Sequence, residues 1–170
     1  RNAGTEVTSA DDSDVCNLGS LVLSRFDDPR DFGRAVSDAV LFLTAGTLYS
    51  DLPYGAVADT REKNRRLGLG VMGVHEFCLL RGVRYGSPEA MEAMRPFAEE
   101  YAKALDLAHH WQDRFGLSRS KGATAIAPTG TIGIVAETTT GIEPIFAAAY
   151  ERTVRDASVD GDVHRVEYVV

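Results

Sequence analysis

The stretch Leu67-Gly68-Leu69-Gly70-Val71-Met72-Gly73 runs straight into Val74 to Leu80. The first part is apolar but laced with glycine, which suits a buried strand that a ligand or another backbone approaches closely. The second part has helical character. A strand that feeds a helix is the unit of α/β folds.

On the amino-terminal side, residues 58–66 are polar and basic. Before them, Phe32, Val36, Val40 and Leu43 recur at helical spacing between Pro29 and about Tyr49, and Pro29 suits a first helical turn. Pro53 and Gly55 end that segment. Val15 to Leu23 carries short apolar runs broken by Asn17, Gly19 and Ser20, which reads as a strand and then a turn. Residues 1–14, with the acidic Asp11-Asp12-Ser13-Asp14, read as a loop.

On the carboxy-terminal side, Ser87-Pro88-Glu89 is a strong helix start: a capping hydroxyl, a proline at the first position, then an acid near the positive helix end. Met91, Met94, Ala98, Tyr101, Leu105 and Ala108 mark one face of that helix. Pro96 is expected to kink it or split off its first turns, and Gly116 to stop it. Ala123 to Ala127 reads as a short strand leading into the loop Pro128-Thr129-Gly130-Thr131-Ile132-Gly133. Thr138 to Pro144 reads as a second loop, and Ile145 to Val154 as a final strand. The alternation predicts an α/β layout with a parallel sheet or barrel.

A chain of 170 residues suffices for one domain with a real core. Its net charge of -7 argues against a nucleic-acid backbone as partner. It leaves room for a small phosphorylated ligand, which a few backbone amides can hold. Cys16 and Cys78 are too few and too far apart for a disulfide framework or zinc site, and no metal site is expected. No apolar run is long enough to span a membrane, and Arg1 to Asp14 has no signal-peptide core. A reducing, cytoplasmic setting is the expectation. The start at Arg1 and the stop at Val169-Val170 both read as cut, so the chain reads as a piece of a longer polypeptide.

The strongest local chemistry is at Pro128 to Gly133. Its glycines admit close approach, successive amides in such a turn can form an anion nest, and its threonines add hydroxyls. No Gly-Lys-Ser/Thr follows, so it is not a Walker loop. Taken alone it reads as an ordinary turn. His75-Glu76 has no second histidine four residues on, which excludes a zinc-protease helix. His109 and His110 are adjacent on a helix and diverge. Gly68, Gly70 and Gly73 have the glycine spacing that makes up half of a dinucleotide fingerprint, but no acid stands at a convincing place about 20 residues on, since Glu89 opens a helix instead; close packing is the simpler use. Cys78 reads as inert core.

Four stretches taken together resemble the large chains of ribonucleotide reductases, in that family's order. They are Cys16-Asn17-Leu18-Gly19-Ser20-Leu21, Asn64 through Gly73, Ala127-Pro128-Thr129-Gly130-Thr131-Ile132, and Gly141-Ile142-Glu143-Pro144-Ile145-Phe146 followed by Tyr150-Glu151-Arg152. The third and fourth look most like the adenosylcobalamin-dependent class II. The resemblance implies an α/β fold: the second half of a ten-stranded α/β barrel with an inserted finger loop, residues 1–170 forming a partial barrel domain whose first half is absent. It implies that Pro128, Thr129, Gly130, Thr131 and Ile132 bind substrate phosphates.

The same resemblance exposes a departure. The family's finger loop carries Asn-x-Cys-x-Glu, and the matching residues here are Asn2, Gly4 and Glu6. The family's cysteine forms the thiyl radical that removes hydrogen from the ribose C3′; Gly4 has no sulfur. Glu6 is implied as general base for the 3′-hydroxyl, Asn2 as an orienting amide, and Cys16 as one of two reducing thiols. The implied cofactor is adenosylcobalamin. The implied partners are a ribonucleoside di- or triphosphate, a thioredoxin-like or dithiol reductant and the remaining half of the barrel, with a homodimer compatible. Two readings follow: an oxidoreductase fragment, inactive alone, whose parent makes deoxyribonucleotides, or a catalytically inactive nucleotide-binding or assembly module built on the same barrel.

Overall fold

The computed structural model describes residues 7–155 and 164–169. The finger-loop positions Asn2, Gly4 and Glu6 lie outside them. In chain order the elements are β1 (Cys16–Val22), a short 3-10 turn (Leu23–Arg25), α1 (Pro29–Tyr49), α2 (Gly55–Asn64), β2 (Arg66–Met72) and α3 (Val74–Leu80). Then come α4 (Pro88–Ala102), α5 (Ala104–Arg114), α6 (Gly130–Val135), β3 (Tyr150–Arg155) and β4 (His164–Val169).

The α/β expectation holds around β2. β1 runs parallel to it, with Cys16 opposite Arg66 and Val22 opposite Met72. Along the other edge, the amide of Leu67 donates to the Gly122 carbonyl (3.0 Å) and that of Leu69 to Ala123 (2.9 Å). The Ala125 amide returns a bond to the Leu69 carbonyl (3.0 Å). The Ala123 to Ala127 expectation is thus met as a short parallel pairing, centred on Leu69 and Thr124. Side chains alternate across the sheet. Leu67 and Leu69 bury themselves among the helices, while Gly68 and Gly70 face the other way.

α1 forms where the sequence placed it. Asp28 caps it by accepting from the Arg30 amide, Pro29 opens it, and Phe32, Val36, Val40 and Leu43 are buried. That face packs on both strands, α4 and α5. Phe97 lies between Phe32 and Phe77, edge-on to both, at centroid distances of 5.8 and 5.2 Å.

Four expectations are corrected. Pro96 does not split off the first turns of its helix: α4 runs through it to Ala102, and the break comes at Lys103, ahead of α5. Pro96 and Glu92 are both exposed, so the carbonyl that loses its donor faces water. Much of residues 58–66 belongs to α2, a helix without an apolar stripe whose buried residue is Asn64. The stretch Pro128 to Gly133 is loop only at Pro128 and Thr129; from Gly130 it is helix α6. The last strand is shorter than Ile145 to Val154 and pairs antiparallel with β4 in a separate two-stranded sheet.

The acidic loop before β1 is bound to the α2–β2 junction. Asn64 Nδ2 donates to Asp11 (2.8 Å) and Asp14 (2.9 Å), and Arg66 Nε donates to Asp14 (2.6 Å). Burial opposes the charge of Asp14, but hydrogen bonds from Ser9, Arg66 and Asn64 outweigh it and hold the carboxyl below its ordinary 3.8. Such a group stabilises the fold fully above its unfolded value, and the contribution is lost as pH falls through the lowered folded value. Asp14→Asn should therefore cost about 1–3 kcal/mol near neutral pH. In urea unfolding its deficit against the native chain should shrink below about pH 4; a deficit that is constant with pH would contradict the assignment.

Candidate functional site

Three parallel backbone segments end at the same side of the sheet, the side where α/β proteins carry their ligands. β1 ends in Leu23–Arg25, β2 in Gly73, and residues 122–127 in Pro128 and Thr129. Thr129 is buried, and its hydroxyl accepts the Gly141 amide at 2.6 Å instead of capping α6. Within the helix, the Gly133 amide donates to the Thr129 carbonyl at 2.7 Å. The amides of Gly130, Thr131 and Ile132 come first in α6 and so have no carbonyl one turn back within it. All three residues are exposed, and a Cβ built on Gly130 would meet nothing within 4 Å. Open amides at the positive end of a helix suit an anion.

Residues that follow α6 are clasped to the strand ends. The Glu76 carboxylate accepts the hydroxyls of Ser24 (2.5 Å) and Thr138. The Gly73 amide donates to the Thr139 carbonyl (2.8 Å), and the Glu76 amide to the Thr139 hydroxyl (3.2 Å). Arg25 Nη2 donates to the carbonyls of Ala136 (3.3 Å) and Glu137 (3.4 Å). Farther along, the Ile145 amide donates to His75 Nδ1 (2.7 Å) and the Tyr85 hydroxyl to the Ile142 carbonyl (2.6 Å). A cavity of about 580 Å³ opens here, lined in part by Glu76, Gly133, Thr138, Glu143 and Phe146. Sequence reasoning discarded His75-Glu76 once the zinc motif failed and assigned nothing to Ser24, Arg25 or Thr138. The one local signal was an acid at the third position of a helix that starts on glycine.

Cys16 stands elsewhere. It opens β1, six residues before Val22, so at about 3.3 Å per residue it lies roughly 20 Å along the strand from the end that meets α6. The structure brings Thr129 to Ile132 together with the Ser24–Glu76–Thr138 cluster but does not bring Cys16 beside them. The thiol is half-buried on the face away from α1. A Cβ on Gly68 would lie 2.8 Å from its sulfur and 2.5 Å from Leu18 Cδ2. Cys78 is sealed in the core, and burial pushes its thiol up. Among the described residues no group of three or more His, Cys, Asp or Glu is placed to hold a metal, and no helix is long and apolar enough to cross a membrane.

The sequence profile described as ribonucleotide reductase, barrel domain, matches residues 2–109 and 106–168. The chain belongs to the ribonucleotide reductase barrel family. Among its curated relatives, a vitamin B12-dependent ribonucleoside-diphosphate reductase of Mycobacterium tuberculosis is 35% identical over 82% of this chain and 23% of its own length. One of the same name from Thermoplasma acidophilum is 33% identical over 82% of the chain and 21% of its length. Among solved structures, the class Id ribonucleotide reductase alpha subunit of Actinobacillus ureae superposes with a TM-score of 0.67 at 25% identity, covering 76% of this chain and 28% of that one. The chain thus spans under a quarter of the curated relatives it matches.

In this ribonucleotide reductase barrel segment, Gly68 leaves the space that the Cys16 thiol occupies. Gly68→Ala should be tolerated by the fold, because the two nearest atoms it meets are the ends of side chains and the third, the Ala125 Cβ at 3.2 Å, needs to give by only a few tenths of an ångström, and it should turn the Cys16 sulfur aside. The rate of Cys16 alkylation, followed by mass spectrometry, should change about threefold or more, since thiol reactivity follows local environment. An unchanged rate in a folded variant would show that the glycine does not set the position of the thiol.

Proposed function

We propose that this chain is the second half of a ten-stranded barrel in a ribonucleotide reductase catalytic chain, with a finger loop around residues 2–6, and that its parent reduces ribonucleotides to deoxyribonucleotides. The observation that carries the reading is the open start of α6, set at the ends of parallel strands and held there by a clasp of buried and half-buried polar groups. The outer edge of β1 has no partner strand among the described residues, which supports the remaining half of the barrel as a partner.

In this reading the amides of Gly130, Thr131 and Ile132, with Pro128 and Thr129 shaping the approach, hold the phosphates of a ribonucleoside di- or triphosphate. Holding that end fixes the ribose on the inner face of the sheet. Asn2 orients the ribose hydroxyls, and Glu6 takes the proton of the 3′-hydroxyl. Cys16 supplies reducing equivalents together with a second thiol from the other barrel half, the pair closing to a disulfide that a thioredoxin-like or dithiol reductant reopens. A reducing, cytoplasmic setting suits that cycle, and a homodimer is the proposed assembly.

The names of the relatives carry vitamin B12, and adenosylcobalamin is the proposed cofactor of the parent. The residues present do not fit its radical chemistry: the finger position is Gly4, Cys78 is sealed in the core, and Cys16 serves in this reading as a reductant. Gly4 favours a second reading, a catalytically inactive nucleotide-binding or assembly module derived from the same barrel.

Two measurements on the full-length parent test these readings. Gly130→Val should weaken ribonucleotide binding about tenfold in calorimetry by crowding the open amides, with the fold intact; unchanged affinity would refute the phosphate assignment. Gly4→Cys, with adenosylcobalamin and a dithiol supplied, should raise deoxynucleotide formation from background to a measurable rate by chromatography. Adding Glu6→Gln should lower that rate about a hundredfold or more. A Gly4→Cys parent that binds substrate and makes no product would point either to the inactive module or to a different register of the finger loop, and the position of residue 4 relative to the phosphate loop separates the two.

A further inference from the structure

We propose that Glu76 is a positioning residue for nucleotide binding: it touches no phosphate itself but sets the orientation of α6 through Thr138. The inference rests on the phosphate-binding reading of residues 128–132.

α6 cannot hold itself in place. Its six residues are far below the length at which a helix is stable alone. Nor is it held by apolar burial, since Ile132, Ile134 and Val135 are all exposed and Gly133 is its buried residue. Its orientation must come from polar contacts at its ends. Thr129 fixes the front through the Gly141 amide. At the back, the Thr138 amide donates to the Gly133 carbonyl at 3.0 Å, so the path of Thr138 sets the last turn of the helix.

Thr138 is held in turn by one carboxylate. Glu76 Oε2 accepts the Thr138 and Ser24 hydroxyls, which lie 3.5 Å from each other. Ser24 follows β1, Glu76 follows β2, and Thr138 follows α6, so a single oxygen joins the ends of three segments. The fit is close: a Cβ on Gly73, whose φ is +76°, would lie 2.6 Å from the Thr138 hydroxyl and 3.0 Å from that of Ser24. The backbone of the same turn holds Thr139 twice, through the amides of Gly73 and Glu76. The other tie, Arg25 to the carbonyls of Ala136 and Glu137, is exposed and long. Bonds to an ionised acceptor are the stronger kind, so Glu76 dominates the clasp. A glutamine there keeps an oxygen able to accept both hydroxyls but loses the charge; an alanine keeps neither.

The test compares Glu76→Ala, Glu76→Gln and Gly130→Val in the full-length reductase. Ribonucleotide Kd is measured by calorimetry well below each variant's thermal midpoint, so that only folded protein is read. Glu76→Ala should raise Kd about tenfold, and Glu76→Gln should bring it back to within about threefold of native. A purely structural role for Glu76 would lower the midpoint and leave Kd of the folded protein unchanged. If Gly130→Val weakens binding and Glu76→Ala does not, the positioning role is overturned while the phosphate assignment stands. If neither weakens binding, both are overturned. Should Glu76→Ala fail to fold, Thr138→Val removes the same link with little change of volume, and a native Kd for that variant overturns the proposal.

Discussion

β2 can pair with a backbone on each edge and serve two different faces because its side chains alternate leucine with glycine. Leu67 and Leu69 enter the ring cluster and the helices; Gly68 and Gly70 keep the opposite face low. A side chain at Gly70 would come within 2.6 Å of the Ala125 carbonyl, so the third segment packs as it does only over a bare backbone. Tyr101 completes the arrangement from the helix side. Its hydroxyl donates to the Leu69 carbonyl, the same oxygen that accepts the Ala125 amide, and burial pushes its pKa up to about 12. The phenol therefore stays a donor across the physiological range.

From that frame the two halves of the candidate site acquire different characters. The end near α6 is polar and joined by many hydrogen bonds, and its amides open toward solvent. The Cys16 end is a half-buried thiol over glycine. The two ends lie at opposite ends of β1, roughly 20 Å apart.

Much of this was legible beforehand for a physical reason: periodicity and capping are local. α1, α3 and the start of α4 declare themselves through residues a few positions apart, and β2 through its glycines. The invisible parts depend on contacts between residues distant in sequence. α2 has no apolar stripe to detect. α6 is short and glycine-bearing, and it is ordered by Thr138 and Gly141 more than by its own propensity. Ser24, Glu76 and Thr138 are unremarkable singly and become a cluster only when three segment ends converge. Pro96 misled because the rule against proline in helices assumes a carbonyl that needs its donor, and at the exposed Glu92 water takes that place.

α2 also carries a kinetic consequence. It is polar around its circumference and is tied mainly by side chains near its carboxy-terminal end: Thr60 to the Asp12 carbonyl, Arg61 to the Ser50 carbonyl, Lys63 to Asp11. Opening its first turns exposes little apolar surface, so its amides should exchange hydrogen with solvent through small fluctuations that leave the rest folded. The exchange front has a defined stop. Arg65, buried and bonded to Thr47 and Ser118, marks where that opening should stop, because β2 beyond it is paired on both edges.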